Sequence, residues 1–132
     1  MDSLNTVKAF VEQINSHDVN GMMSLMAETH CFIDSLGNVV SGHQALHAAW
    51  AGYFGLIPNY RITVGEWLCN GAVVVLLGQS GGSYHGVLWE TPVACRALVR
   101  DRQLAEWRVY ADNEPLRQLM NAKSQHNFEV EP

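Results

Sequence analysis

Asp34 is the residue whose type and position could do acid–base chemistry. It opens the tetrapeptide DSLG at 34–37, whose Asp in first place and Gly in fourth are typical of a type I turn. If its carboxyl points inward beside Phe32 and Trp50, desolvation raises its pKa toward neutrality, and the group can move a proton next to a carbonyl or hydroxyl. The alternative is that the carboxylate only caps the turn, as Asp commonly does. The sequence leaves both interpretations open.

Gln79 and His85 are two further polar candidates for ligand contact. Gln79 alternates with apolar residues such as Leu77, so it is predicted to be the one polar group on an apolar strand face, where it could orient a ligand oxygen. It also lies near a strand end and could instead reach solvent. His85 follows a reversal predicted at residues 81–82. It could lie at a pocket mouth and titrate near neutrality, or be an ordinary surface histidine.

Metal and cofactor chemistry is not indicated. His43 and His47 are four residues apart on a predicted helix, a spacing that can bind zinc, but neither a HExxH glutamate nor a third ligand is evident. The cysteines form no CxxC pair, and reduced, buried thiols in a cytoplasmic protein are the simplest account of Cys31, Cys69 and Cys95. No glycine-rich phosphate loop is present. We therefore expect no metal and no organic cofactor.

Aromatic residues are frequent enough to line a pocket for a flat ring system. At strand and helix spacing, however, such residues are more often core or dimer contacts. The candidates are Trp50, Trp67, Trp89, Trp107, Tyr53, Tyr60 and Tyr110.

Three helices are predicted in the first half of the chain. An apolar stripe at helical spacing covers residues 4–14, and a second short helix follows Asp18, which is of the type preferred at an N-cap. Ser41 and Gln44 have capping-box spacing and predict the start of a third helix. Pro58 prevents that helix from continuing.

The second half is predicted to be an antiparallel meander. Residues 60–69 and 72–80 are joined by the Asn-Gly pair at 70–71, the strongest short-range hairpin signal. A long strand over 85–100 and a last strand over 104–111 meet at a polar turn. Helices followed by antiparallel strands predict an α+β fold, whose sheet curls into a cone-shaped half-barrel with a concave side filled by side chains or by a ligand.

The chain is predicted to be one domain over residues 1–120 with a polar tail over 121–132. One further helical turn is expected near residues 113–115, and Phe128 and Val130 of the tail could dock on a partner. The length of 132 residues is sufficient to bury a core in a single domain.

Composition excludes several classes of protein. Hydrophobic residues make up 48% of the chain and charged residues only 16%, which is typical of a globular protein. The net charge of −5 and the scattered eight basic residues argue against a nucleic-acid partner. No apolar run approaches the roughly 20 residues of a membrane helix, and the N-terminus does not resemble a secretory signal. A cytoplasmic location is expected.

Three stretches of the sequence resemble a known family. They are FVEQINSHDVNGMMSLMAETHCFIDSLG (10–37), SGHQALHAAWAGYF (41–54) and LAEWRVYADNEPL (104–116). Together they are similar to the SnoaL-like branch of the nuclear-transport-factor-two-like superfamily, which also holds ketosteroid isomerase and limonene-epoxide hydrolase. The resemblance runs over residues 4–120. It implies a homodimer built through sheet faces and a deep pocket between the sheet and the helices.

The resemblance to ketosteroid isomerases gives Asp34 a role. Their general base is an Asp on the strand after the second helix, and Asp34 lies at that position. Their oxyanion hole is made by a Tyr and a protonated Asp, and the matching positions here are Phe10 and Ala94, which have no donor. Without these donors, about 2–4 kcal/mol of transition-state stabilisation per donor is missing. Ordinary steroid isomerisation is therefore not expected.

The resemblance to epoxide hydrolases leads to a similar result. Those enzymes use an Asp-Arg-Asp relay with a Tyr and an Asn that position water. Asp34 falls on the Asn position and Phe32 on the Tyr position, and the relay positions fall on Gln79, Leu77 and Val109. Because the relay is absent, epoxide hydrolysis by that route is not expected either.

The same alignment assigns strand faces to the concave side. Arg96 shares a face with Ala94, and there it could pair with Asp34 or clamp an anionic substrate. In the opposite register Arg96 is an ordinary exposed arginine. Trp107 and Val109 are also assigned to the cavity side.

The expected function is that of a cofactor-independent isomerase, cyclase or dehydratase acting on a small hydrophobic, oxygen-bearing molecule. Asp34 is its expected general base, and Arg96 is the other catalytic candidate. A non-catalytic binding module and a pure dimerisation domain are the alternatives, because a fold does not determine a function. The expected substrate-binding residues are Phe10, Phe32, Trp50, Tyr53, Leu77, Gln79, His85, Ala94, Trp107 and Val109.

Overall fold

The computed structural model describes the backbone of residues 2–130 and the side chains of residues 2–122. This part of the chain forms four helices and six strands. In chain order they are α1 (Ser3–Asn15), α2 (Val19–Leu25), β1 (Met26–Ile33), β2 (Val39–Ser41), α3 (His43–Leu56), β3 (Arg61–Asn70), β4 (Val73–Tyr84), β5 (Val87–Arg100), β6 (Gln103–Ala111) and α4 (Glu114–Val130).

The strands form one sheet in the order β2-β1-β6-β5-β4-β3. Neighbouring strands are antiparallel, except that β1 and β6 are parallel. The main core lies between the inner face of this sheet and helices α1 and α3. It contains Phe10, Leu46, Trp50, Leu76 and Trp107, all buried. The predicted α+β architecture with a mainly antiparallel sheet is confirmed.

Two of the first three helices start with a side-chain cap, and one of these caps, Asp18, was predicted. Asp2 and Asp18 cap α1 and α2, and the Asp18 carboxylate accepts a hydrogen bond from the Gly21 backbone N–H at 2.9 Å. The predicted capping box at Ser41 is wrong. Ser41 is the last residue of β2 and pairs with β1, and the chain enters α3 through Gly42, whose φ of 87° favours glycine.

Two-residue turns join the long strands. The hairpin predicted between β3 and β4 is confirmed, but its two-residue turn is 71–72 rather than 70–71, because Asn70 ends β3 and pairs with Val73. The reversal predicted at residues 81–82 is wrong, because β4 continues through both glycines and turns at His85 and Gly86. Those two residues have φ of 49° and 80°, as a type I′ hairpin turn requires.

The strand faces of β4 and β5 are opposite to those predicted. Leu77 pairs with Ala94, and the alternating burial of β5 places Ala94 and Arg96 on the outer face, away from the helices. Gln79 shares that outer face with Leu77. The reason is that residues 73–77 are apolar on both faces, so alternation did not reveal which face is concave.

Helix α4 is longer than the single turn predicted near residues 113–115. Its Leu116 is buried against Ile57 and Trp89 in a second, smaller apolar cluster. The side chains of Phe128 and Val130 lie outside the described residues. No helix in the described part of the chain is both long and apolar enough to cross a membrane.

Candidate functional site

A cavity of about 280 Å³ opens between α3 and the inner face of the sheet. It brings together six of the predicted site residues: Phe32, Asp34, Trp50, Tyr53, Trp107 and Val109. It also includes Tyr60, one of the aromatic candidates for a pocket lining, and five residues that were not predicted to line it: Ser35, Ala49, Ser80, Ala111 and Asn113. A volume near 300 Å³ lies at the small end of the range for ligand pockets, so the cavity suits a small molecule.

Five aromatic residues contribute to the cavity wall. The rings of Phe32 and Trp50 meet edge to face with centroids 5.3 Å apart, and those of Tyr53 and Tyr60 do so at 4.9 Å. Trp107 is fully buried at the back of this wall. Phe32 and Trp107 are adjacent because they are register partners in the parallel pair β1–β6.

Phe10, predicted to contact substrate, is not among the residues that line the cavity. It is fully buried on α1, where its ring lies 5.0 Å from Trp107 and 6.3 Å from Trp50. Its position behind these two rings makes it a support of the cavity wall.

Asp34 lies at the cavity with both carboxylate oxygens already hydrogen-bonded. Oδ1 accepts from the backbone N–H groups of Leu36 and Asn38, each at 2.9 Å, and Oδ2 accepts from the Asn38 side-chain amide at 3.1 Å. Partial burial alone would raise the pKa of Asp34. The hydrogen bonds from Asn38, Leu36 and Gly37 nevertheless hold it below the ordinary value of 3.8. The expected rise toward neutrality is therefore wrong, and the carboxylate stabilises the turn while it lines the cavity.

A second polar contact lies beside Asp34. The Asn113 side-chain amide, just before α4, donates a hydrogen bond to Ser35 Oγ at 3.0 Å. Both residues line the cavity, so this bond joins the β1–β2 turn to the start of α4 at the cavity edge.

Tyr53 and Tyr60 supply neutral hydrogen-bond donors. Burial raises the pKa of Tyr53 to about 12. The pKa of Tyr60 is raised further, first by burial and then by the neighbouring Tyr53 and Cys95, against a smaller opposing effect of a hydrogen bond with Ser80. Both phenols therefore stay protonated at neutral pH.

The segment before β3 fixes the position of Tyr60. His17 Nε2 donates a hydrogen bond to the Tyr60 carbonyl at 2.7 Å, and the His17 ring stacks on Phe54 with centroids 4.3 Å apart. Asn15 pairs with the backbone of Ile62 through two bonds, accepting from its N–H at 2.8 Å and donating to its carbonyl at 2.9 Å. These side chains join the end of α1 to the start of β3.

Four other predicted site residues lie outside the cavity. Arg96 pairs with Glu106 at 3.4 Å on the outer face, so it does not meet Asp34. Leu77 and Ala94 occupy the same outer face, and Gln79 lines an open depression there. The predicted cavity positions of these four residues are wrong because the register of β4 and β5 is displaced by one residue.

His43, His47 and His85 do not converge on the cavity. His85 is exposed at the β4–β5 turn, and His43 and His47 are exposed on α3. Among the described residues, no three His, Cys, Asp or Glu side chains come close enough to hold a metal ion.

His30, which the sequence did not single out, is fully buried on β1. Its Nδ1 donates to the Leu104 carbonyl at 2.7 Å, and its Nε2 has no hydrogen-bond partner among the described residues. Burial lowers the pKa of His30 below 6.5, outweighing the raising effect of the Leu104 hydrogen bond. His30 is therefore a neutral core residue.

Comparisons with solved structures identify the fold. A suspected SnoaL-like polyketide cyclase from Shewanella denitrificans OS-217 has a TM-score of 0.81 at 11% identity, covering 91% of this chain and 97% of that one. TerC, co-crystallised with polyporic acid, has a TM-score of 0.79 at 17% identity, covering 90% of this chain and 98% of that one. A protein from Catenulispora acidiphila DSM 44928 with a ketosteroid isomerase-like fold, solved with trimethylamine, has a TM-score of 0.73 at 19% identity, covering 80% and 83%. Identities this low establish the fold alone.

The family follows from the sequence itself. No curated protein matches the chain. The family model of the SnoaL-like domain, however, matches residues 7–114, which include the elements from most of α1 to the start of α4. The chain therefore belongs to the SnoaL-like domain family, with the ketosteroid isomerase-like fold.

Proposed function

We propose that the cavity binds a small, hydrophobic, oxygen-bearing molecule and that the protein is a cofactor-independent isomerase, cyclase or dehydratase. One observation carries the proposal. The cavity combines aromatic walls, the partly buried tyrosines Tyr53 and Tyr60, and Asp34, the one carboxylate among its described lining residues. Two proteins of similar fold were solved with small molecules, polyporic acid and trimethylamine, which supports a ligand-binding role for the cavity.

Such a site supports proton transfer next to a carbonyl. A ligand carbonyl that accepts a hydrogen bond from Tyr60 is stabilised as negative charge develops on its oxygen. Asp34 takes a proton from the adjacent carbon, and the electron pair of that C–H bond moves into the enolate. Return of the proton to a different carbon completes an isomerisation. Because the pKa of Asp34 is lowered, the carboxylate is ionised at neutral pH but is a weak base, so we expect slow turnover.

Non-catalytic ligand binding is the second candidate function. The observation that favours it is that both oxygens of Asp34 already accept hydrogen bonds, three in all, from Leu36 and Asn38. A carboxylate held in this way has a structural role without any proton transfer.

Deuterium exchange distinguishes the two functions. 1-Indanone is a small aromatic ketone, and loss of its α-proton signal in D2O, followed by NMR, reports proton abstraction by the protein. If Asp34 is the base, Asp34→Asn lowers the exchange rate about 100-fold or more. Tyr60→Phe removes the donor and lowers it about tenfold or more.

Asp34→Asn is a suitable variant because the Asn side-chain oxygen can still accept the two backbone hydrogen bonds of the turn. The matched control is Asp101→Asn, which makes the same charge change in the exposed β5–β6 turn at the far end of β6. Equal exchange in the wild type and Asp34→Asn would refute the base role. Saturable binding of 1-indanone with background exchange would favour the non-catalytic function, and the absence of binding would contradict both.

The protein is also proposed to be a homodimer that associates through the outer face of the sheet. Leu68, Leu77 and Tyr110 are exposed on this face, with 48%, 37% and 50% of their surface accessible. A cytoplasmic location is proposed with it, because Cys31, Cys69 and Cys95 are all free thiols.

A further inference from the structure

Neighbouring aromatic rings that line the cavity have steep interplanar angles. Phe32 and Trp50 meet at 71°, and Tyr53 and Tyr60 meet at 83°. The face of an aromatic ring carries partial negative charge, so several rings that enclose one small space attract a cation placed among them. This arrangement is the one by which proteins recognise alkylated ammonium groups.

The charges at the cavity also favour a cationic ligand. Asp34 lines the cavity and its three hydrogen bonds keep it ionised at neutral pH. None of the described lining residues is Lys, Arg or His. Arg96, the arginine predicted to offset this charge, is on the outer face with Glu106. An anionic ligand would therefore meet the Asp34 carboxylate without a compensating cation.

The remaining polar groups do not oppose a cation. Tyr53 and Tyr60 are neutral phenols, and a phenol oxygen can accept as well as donate a hydrogen bond. The net charge of −5 also favours the approach of cations to the molecule as a whole.

The geometry points to a ligand that carries a small alkylated ammonium group, held among Phe32, Trp50, Tyr53 and Tyr60 and facing the Asp34 carboxylate. This inference rests on the proposed function of the cavity as a ligand site and specifies the ligand's charge. The ligand is small, because the cavity measures about 280 Å³.

A pair of probes of equal shape tests the charge preference. Phenyltrimethylammonium and tert-butylbenzene differ in one atom and one charge, and both can be titrated while the tryptophan indole N–H signals are followed by NMR. We expect the cation to bind about tenfold more tightly than the neutral probe. Asp34→Asn should reduce that ratio about fivefold, and Phe32→Leu should reduce it about threefold.

The control is again Asp101→Asn, which should leave the ratio unchanged. The inference is overturned if tert-butylbenzene binds as tightly as the cation, or if Asp34→Asn and Asp101→Asn lower the ratio equally. Binding of 1-indanone separates this result from the wider proposal. If 1-indanone binds and the cation does not, the charge preference is wrong and the ligand site remains; if neither probe nor 1-indanone binds, both proposals fail.

Discussion

His30 illustrates how a single buried side chain sets a pH limit on stability. The residue has no exposed surface, and its Nε2 atom has no partner among the described residues. Protonation would place a charge on that atom in a low-dielectric core, so the folded state disfavours it. The unfolded chain, in contrast, takes up the proton near the ordinary value of 6.5.

This difference predicts a loss of stability in mild acid. The pKa of His30 is lowered in the folded state, so below pH 6.5 the unfolded state binds a proton that the folded state does not. As the pH falls through this range, the free energy of unfolding therefore decreases by up to about 1.4 kcal/mol per pH unit. His30→Leu should remove this slope. Urea denaturation between neutral and mildly acidic pH measures it, and His85→Asn, at the exposed turn, should keep the wild-type slope. Identical slopes in the wild type and His30→Leu would contradict the prediction.

The chemistry of Asp34 was only partly predictable from the sequence. Its place in a turn follows from the DSLG pattern, and the Gly37 N–H does bond to the Asp34 carbonyl at 3.0 Å. The direction of its pKa depends on hydrogen bonds from Asn38, first from the backbone N–H and then from the side-chain amide, which folds back onto the carboxylate. Nothing in the local sequence pattern indicates that contact. The sequence was therefore equally consistent with Asp34 as a general base and with Asp34 as a carboxylate that only caps the turn.

At the scale of elements, two connections position the cavity residues. Asn15 at the end of α1 holds Ile62, and His17 in the α1–α2 connection holds Tyr60. The Ser35–Asn113 bond holds the β1–β2 turn against α4. Both link segments that are far apart in the chain. Each therefore contributes to the geometry of the cavity rather than to a single element.

The Ser35–Asn113 hydrogen bond can be measured by a double-mutant cycle. Asn113→Ala and Ser35→Ala should each lower the free energy of unfolding by about 1 kcal/mol, because each removes the same bond. The double variant should lose little more than either single variant, giving a coupling energy near the value of the bond. Urea denaturation provides the free energies. Strictly additive losses would show that the two side chains do not interact.

Element positions were predicted better than strand faces. Asp18 and the β3–β4 hairpin were identified by local chemistry that acts within four residues. The faces of β4 and β5 depend instead on their pairing with each other and with β6, and residues 73–77 of β4, which are apolar on both sides, do not reveal which face is concave. Trp107 and Val109 were placed correctly, whereas Arg96 was not.

At the scale of the whole molecule, the exposed side chains of Leu68, Leu77 and Tyr110 on the outer face of the sheet predict association. Leu77→Lys places a charge in the middle of this face and should convert the proposed dimer to a monomer, because burying an unpaired charge is costly. Sedimentation equilibrium measures the change. Val39→Lys is the control, since Val39 is 61% exposed on β2 and lies away from the proposed interface. A wild-type chain that sediments as a monomer would contradict the dimer.

The fold as a whole was predictable because helical and strand periodicities occupy separate halves of the chain. The residues that line the cavity were harder to predict, because pairing and closure of the sheet bring Ser80 and Asn113 to the cavity. Short-range patterns determine the elements, and long-range pairing determines which side chains they bring together.

The parallel pairing of β1 with β6 governs how the molecule is assembled. Met26 is in register with Leu104, and Phe32 with Trp107. These contacts close a loop that contains the entire β3–β5 meander, and closing a long loop is entropically costly before other contacts form. During synthesis, most of the chain must therefore leave the ribosome before Phe32 and Trp107 can pair to form the back wall of the cavity. We expect the meander to form first and the binding chamber to be completed last.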